Sequence, residues 1–214
     1  MTSLSSYHFQ LERMRSAAGS ATGLVSRFGL FIGTALILGI GTSWYMIEQG
    51  SRISVAQAGP WTHWSNVGLA DADPYTRARF ARQGSLPLPT DLARTYEARR
   101  DEDGQRLHSS CDYVIEGEGF DANWWTLTAF DERGLLIPNA AERYAYNSQT
   151  IARAADGSFV ITLSRDARPG NWLPTGGAGR LVLAFAVVNA QSQAVGLPSV
   201  VAPALPSIRR LACR

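Results

Sequence analysis

Residues 28–47 read FGLFIGTALILGIGTSWYMI and contain no charged side chain. At about 1.5 Å rise per residue, a helix over this run spans the roughly 30 Å hydrocarbon core of a bilayer. A core helix of a soluble domain fits less well, because nothing in the run is amphipathic. Trp44 and Tyr45 lie toward its C-terminal end, where rings with a polar tip favour the headgroup level. Arg13, Arg15 and Arg27 precede the run and Arg52 alone follows closely, so the positive-inside rule predicts a cytoplasmic N-terminus and an exported C-terminal part. The expected order is a cytoplasmic tail over 1–27, a transmembrane helix over 28–47, a linker over 48–59 and an exported domain over 60–214. A cleaved signal peptide competes, since Ala56-Gln57-Ala58 offers a small-x-small site, but the apolar run exceeds the roughly 7–15 residues of a signal core. Gly33, Gly39 and Gly41, with Thr34 and Ser43, leave room for a second helix to approach.

The chain has 214 residues, enough for one domain and an appendage, with 45% apolar and 18% charged side chains. Its net charge of +2 is already accounted for by the three arginines and Glu12 of the tail. The exported part is therefore neutral and carries no electrostatic footprint for nucleic acid. All 20 basic residues are Arg. Without Lys there is no Schiff base, pyridoxal phosphate attachment, phosphate-loop lysine or Ser-Lys hydrolysis. Cys111 and Cys213 both fall in the exported part, where an oxidising compartment favours a disulfide tying the start of the β domain to the end of the chain. Two buried free thiols are the alternative. No Cys or His lies at metal-ligand spacing, so neither a metal nor a cofactor is expected.

Asp73-Pro74 reads as an N-cap with Pro in the first turn and Gly84 as a stop, predicting a short helix over 74–83. Leu86-Pro87-Leu88-Pro89 forbids its continuation and suggests an extended crossing. From about Arg94 the period is two. Cys111, Tyr113 and Ile115 share a face opposite Asp112 and Glu116; Trp125, Leu127 and Ala129 oppose Thr126 and Thr128; Phe159, Ile161 and Leu163 oppose Ser158, Thr162 and Ser164. Residues 181–188 are apolar on both faces, as in a central strand. Asp101-Glu102-Asp103-Gly104, Asp131-Glu132-Arg133-Gly134 and Asp156-Gly157 punctuate the strands as hairpin-type turns. The fold class is mainly β, a β-sandwich or jelly-roll-like exported domain preceded by one transmembrane helix and a short helix.

Chemistry-bearing motifs are sparse. His8, His63 and His108 stand in no HExxH, HxE or triad-like context, there is no GxSxG elbow, and Gly176-Gly177-Ala178-Gly179 reads as a turn. Glu116 with Glu118, or Asp101 with Asp103, could supply the acid and base of a glycosidase-like site; the aspartates flank a turn glycine and read as solvated hairpin acids. No catalytic residue is assigned. With Trp125 in the core, Trp124 must point outward, where it stacks on a sugar or anchors a partner chain unless the segment carrying Trp61 and Trp64 covers it, the preferred reading. Asn171 and Trp172, in a loop between Arg165 and Arg180, complete the candidate ligand or partner surface, Trp172 reading rather as a plug at one end of the sandwich.

Taken in order, Asp73-Pro74-Tyr75-Thr76-Arg77-Ala78, Gly84-Ser85-Leu86-Pro87-Leu88, Asp103-Gly104, Cys111-Asp112-Tyr113, Trp124-Trp125-Thr126-Leu127, Asp156-Gly157-Ser158 and Asn171-Trp172-Leu173-Pro174 resemble the uncharacterised bacterial family catalogued as domain of unknown function 1214, in its membrane-anchored, single-domain branch. The resemblance covers roughly residues 60–214 and implies a β-sandwich often found with a sister domain catalogued as number 1254, fused or encoded nearby. It implies no catalytic residues. Many relatives carry Arg in the penultimate strand where this chain reads Phe185-Ala186-Val187. The expected protein is a single-pass inner-membrane protein with a periplasmic β-sandwich, a non-catalytic binding or assembly module of the envelope, whose partners are the membrane and a separate sister-domain protein. The alternative is an envelope enzyme acting on carbohydrate through a carboxylate pair.

Overall fold

The computed structural model describes residues 4–49, 54–84, 86–90, 92–118, 124–188 and 205–214. They fall in two units, Met1–Gln49 and Gly50–Arg214. The first is one helix, α1 (Leu4–Gln49), whose stretch Val25–Glu48, with a mean hydropathy of 1.7, is long and apolar enough to cross a membrane. The helix starts far ahead of the apolar run: the residues expected as a tail include Leu11, Glu12, Arg13, Met14, Arg15, Ala17 and Ala18, good helix formers that continue the same hydrogen-bonded rod. Gly29 belongs with the small residues of the run, four positions before Gly33, with open space where either Cβ would stand.

The second unit holds β1 (Val55–Ala58), β2 (Trp61–Trp64), α2 (Pro74–Gln83), β3 (Ala93–Ala98), β4 (Cys111–Gly117), β5 (Trp124–Asp131), β6 (Ala145–Asn147), β7 (Phe159–Ser164), β8 (Asn171–Pro174), β9 (Leu181–Val188) and β10 (Ser207–Cys213). They build a six-stranded sheet in the order β1-β2-β3-β9-β5-β6 and a four-stranded sheet in the order β10-β4-β7-β8. Neighbours run antiparallel except β7 and β8, which are parallel. Alternation decides which face is buried. Trp125, Leu127 and Ala129 of β5 and Leu183, Phe185 and Val187 of β9 point inward from the large sheet; Tyr113 and Ile115 of β4 and Phe159, Ile161 and Leu163 of β7 meet them from the small one. Trp125 stacks on Phe159 across the two sheets at 4.8 Å between ring centroids. β9 is central, flanked by β3 and β5, as its double-sided apolar pattern predicts.

The Cys111–Cys213 disulfide is present and joins register partners on β4 and β10, fastening the last strand to the sheet. α2 spans the predicted residues: the Asp73 carboxylate accepts from the backbone N–H groups of Tyr75 and Thr76, and Gly84, at φ 63°, closes the C-terminal end. Gly104, Gly134 and Gly157 take the left-handed conformation expected of the three turns.

Several expectations need correction. The stretch 48–59 is not all linker: Val55–Ala58 forms the edge strand β1, and β2 lies in the segment expected to precede the domain. Four residues reading Val-Ala-Gln-Ala are too few to show a period, and their strand state comes from the ladder to β2. Residues 50–53 of the expected linker, residues 1–3, Ser85 and Gly119 lie outside the described residues. Asp101 is not a solvated hairpin acid. It is 2% exposed, accepts from the Gln105 N–H and pairs with Arg210 of β10, whereas Asp103 is exposed.

Candidate ligand pocket

The outward face of the large sheet carries a cavity of about 410 Å³, within the roughly 300–1,000 Å³ of small-molecule sites. Its floor follows from the alternation just described. With Phe185 and Val187 inside, β9 turns Ala186 and Val188 outward, and with Trp125 inside, β5 turns Trp124 outward opposite Val188. The small side chain of Ala186 at mid-sheet keeps the floor low. Ala93, Thr95 and Glu97 of β3 extend it, and Trp64 of β2 and Phe80 of α2 stand edge to face, 6.2 Å between centroids, as a wall. The Leu86-Pro87-Leu88-Pro89 crossing supplies Pro87 and Leu88. That crossing is seated by Gly68, at φ 73°, where a Cβ would lie 2.8 Å from the Pro89 Cα; the Thr90 N–H donates to the Val67 carbonyl beside it.

The polar lining comes from β2 and β3, whose register turns Thr95 and Glu97 to the outer face and Arg94, opposite Val187, to the inner one. β2 pairs with β3 only through Trp61 and Thr62, and beyond them His63 and Trp64 run on without β3 partners. The Thr62 hydroxyl donates to the Glu97 carbonyl at the last paired position. His63 lines the cavity, its ring edge-on to Tyr96 at 5.0 Å, and its Nδ1 is buried with no hydrogen-bond partner. Burial, and then the Arg94 guanidinium, hold the His63 imidazole below its ordinary value, so it is neutral at neutral pH. Arg94, also in the lining, donates from Nε to the Thr90 carbonyl. The Arg79 guanidinium sits 4.9 Å above the Trp64 ring. Glu97 pairs with Arg99 at 3.4 Å.

Of the sequence candidates, Trp124 lies in this pocket, half-buried, and shares it with Trp64; Trp61, by contrast, points into the core and donates from Nε1 to the Pro206 carbonyl. Asn171 and Trp172 are elsewhere, on β8 at the edge of the small sheet. The Asn171 side chain accepts from the Ala152 N–H and donates to the carbonyls of Ala152 and Val160, so it pins a loop rather than facing outward. The Trp172 Nε1 donates to the Ser164 carbonyl, and its own carbonyl accepts from Tyr146 and Arg143. Glu116 and Glu118 are exposed, Glu116 paired with Arg209 at 3.1 Å. Among the described residues no group of three His, Cys, Asp or Glu side chains is placed to hold a metal ion.

His63, Arg94 and Phe80 went unseen in sequence because no motif links them. They come from three elements and meet only through the β2–β3 divergence and the seating of α2. The signal that did point here is the Trp124-Trp125 doublet, which forces one indole outward.

Fold and site thus define a disulfide-closed β-sandwich with a pocket on the outer face of its larger sheet, in a chain whose N-terminal helix could cross a membrane. Residues 93–192 match the family described as "Protein of unknown function (DUF1214)". Among solved structures it is similar to the VPA0106 protein of Vibrio parahaemolyticus, at 19% identity and a TM-score of 0.57, over 81% of this chain and 43% of that one. It is also similar to an uncharacterized protein of Burkholderia cenocepacia, at 17% identity and a TM-score of 0.38, over 57% of this chain and 30% of that one. The chain therefore spans less than half the length of either. No curated protein matches it.

Proposed function

We propose that this protein is a single-pass inner-membrane protein of the membrane-anchored branch of its family, presenting the β-sandwich to the periplasm as a non-catalytic binding module. The observation that carries the binding role is the cavity of about 410 Å³ between Trp64, Phe80 and Trp124, apolar over most of its lining with a few convergent polar groups. The apolar stretch Val25–Glu48, the arginine bias ahead of it and the disulfide support the address. A separate protein carrying the sister domain is the partner this reading expects.

The test is native mass spectrometry of the full chain. The wild type should carry a small molecule that Ala186→Leu, which raises the pocket floor, has lost. Identical spectra would remove the binding reading. Turnover of glycans or esters that Glu116→Gln abolishes would replace it with the carbohydrate-enzyme alternative. Crosslinking in the native membrane should recover the sister-domain protein; its absence removes that partner.

A further inference from the structure

We infer that the β unit has a second interaction surface, an apolar tip made by Leu86, Leu88 and Leu92, that docks on the bilayer crossed by the chain's own helix and enters its headgroup layer. The inference goes beyond the ligand pocket and rests on the anchoring part of the proposed function, in which Val25–Glu48 spans the membrane.

The chain fixes which end of the large sheet is tethered. Trp44 and Tyr45 sit where the apolar run meets the interface, and α1 ends at Gln49. Ser54 is already part of the β unit: it is 1% exposed, its carbonyl accepts from the Ser65 N–H at 2.7 Å, and its hydroxyl donates to the Asp73 carboxylate ahead of α2. Even fully extended, the chain from Gln49 to Ser54 reaches at most about 18 Å. Ser54 precedes Val55, the register partner of Trp64, at the end of the sheet where β1 begins and β2 stops. β3 begins at that end as well, and there Ala93 and Trp124 share Val188 as a register partner. The Leu86-Pro87-Leu88-Pro89 crossing is fastened to the same end, the Thr90 N–H donating to the Val67 carbonyl and the Leu92 N–H to the Pro89 carbonyl. The tethered end is thus the one that exposes leucines: Leu86 is 99% exposed, Leu88 59% and Leu92 52%. Large apolar side chains so exposed and so close together mark a contact surface, and Pro87 and Pro89 hold them in place without further ordering. Along β5 the opposite end of the sheet lies about 26 Å away. It exposes Leu135 and Leu136, but directly after Asp131, Glu132 and Arg133, whose charges resist entry into a bilayer. Charge does not drive the contact at the tethered end, since residues 66–92 balance Arg77, Arg79 and Arg82 against Asp71, Asp73 and Asp91. The docking is therefore apolar and indifferent to salt, and the short tether makes a shallow contact sufficient by keeping its effective concentration high. Pro87 and Leu88 also line the cavity, so docking sets the cavity beside the leaflet.

The test uses the full chain in vesicles of phosphatidylethanolamine and phosphatidylglycerol, with a bimane fluorophore attached at Leu86→Cys or, for comparison, at Leu135→Cys. Both positions are exposed, so neither label disturbs the core, and with Cys111 and Cys213 bridged the introduced thiol is the one that reacts. A lipid spin-labelled near its headgroup should quench the label at position 86 at least about threefold more than the label at position 135. Acrylamide in the water should show the reverse order, and both differences should persist in high salt. Equal lipid quenching at the two positions, in a chain that alkaline carbonate does not release from the vesicles, overturns the docking and leaves the anchor standing. Release by carbonate overturns the anchor and the docking with it. Lipid quenching at position 86 that high salt abolishes makes the contact electrostatic and overturns the apolar tip.

Discussion

Asn171 shows how a residue with the look of a ligand contact can be wholly engaged in structure. Its amide links the loop at Ala152 to β7 through three hydrogen bonds. Asn171→Ala leaves those backbone groups without that partner and should cost about 1–3 kcal/mol in urea unfolding. Asp101 is a second case. Its buried carboxylate pairs with Arg210, whose side chain is 27% exposed. Burial alone would lower the Arg210 value, and the hydrogen bond and charge of Asp101 more than reverse this, raising it. Asp101→Ala should cost about 3 kcal/mol, the low end for breaking such a pair because Arg210 keeps some water. An unfolding midpoint within experimental error of the wild type would refute that.

At the scale of elements, α2 matters because Phe80 reaches the pocket from it. The helix depends on Asp73. Burial pushes its carboxyl up, but the hydrogen bonds from Thr76, Ser54 and Tyr75 outweigh this and hold it below the ordinary aspartate value. A carboxyl depressed in the folded state contributes stability that is fully present above its unfolded value and is lost as pH falls through its folded value. Asp73→Ala should therefore cost about 1 kcal/mol at neutral pH, the gap between variant and wild type closing in acid. Gly117 of β4 marks a close approach in the core, where a Cβ would stand 2.5 Å from the Phe159 ring. Gly117→Ala should cost about 1–3 kcal/mol and perturb the near-ultraviolet signal of the Trp125–Phe159 stack.

For the whole molecule, the disulfide spans a sequence separation of 102 residues and closes the chain from β4 to β10 into one loop. Cys213→Ser should lower stability by about 2–5 kcal/mol, reduction should give a similar loss, and the native wild type should show no free thiol. Full labelling of the native protein by a thiol reagent would contradict the bridge. β10 also carries Arg210 and Arg209, which pair with Asp101 and Glu116, so freeing the strand end exposes polar pairs together with Ile208.

The sequence by itself determined what depends on local chemistry. A charge-free run gives a long apolar helix, a capping aspartate and a stop glycine bound α2, and alternation assigns the buried face of β4, β5 and β7. Trp125 inward therefore means Trp124 outward. The two cysteines of the chain, both in the β unit, pair. Tertiary structure alone decided what depends on partners distant in the chain. A four-residue edge strand has no period and exists through its ladder. The burial of Asp101 waits on an arginine from the last strand, and the commitment of Asn171 to backbone waits on the loop at Ala152. The pocket is the fullest case. The outward Trp124 of its floor is readable from the alternation of β5, but its walls arise where β2 parts from β3 and a proline crossing seats against Gly68, and no local pattern encodes the meeting of His63, Phe80 and Arg94.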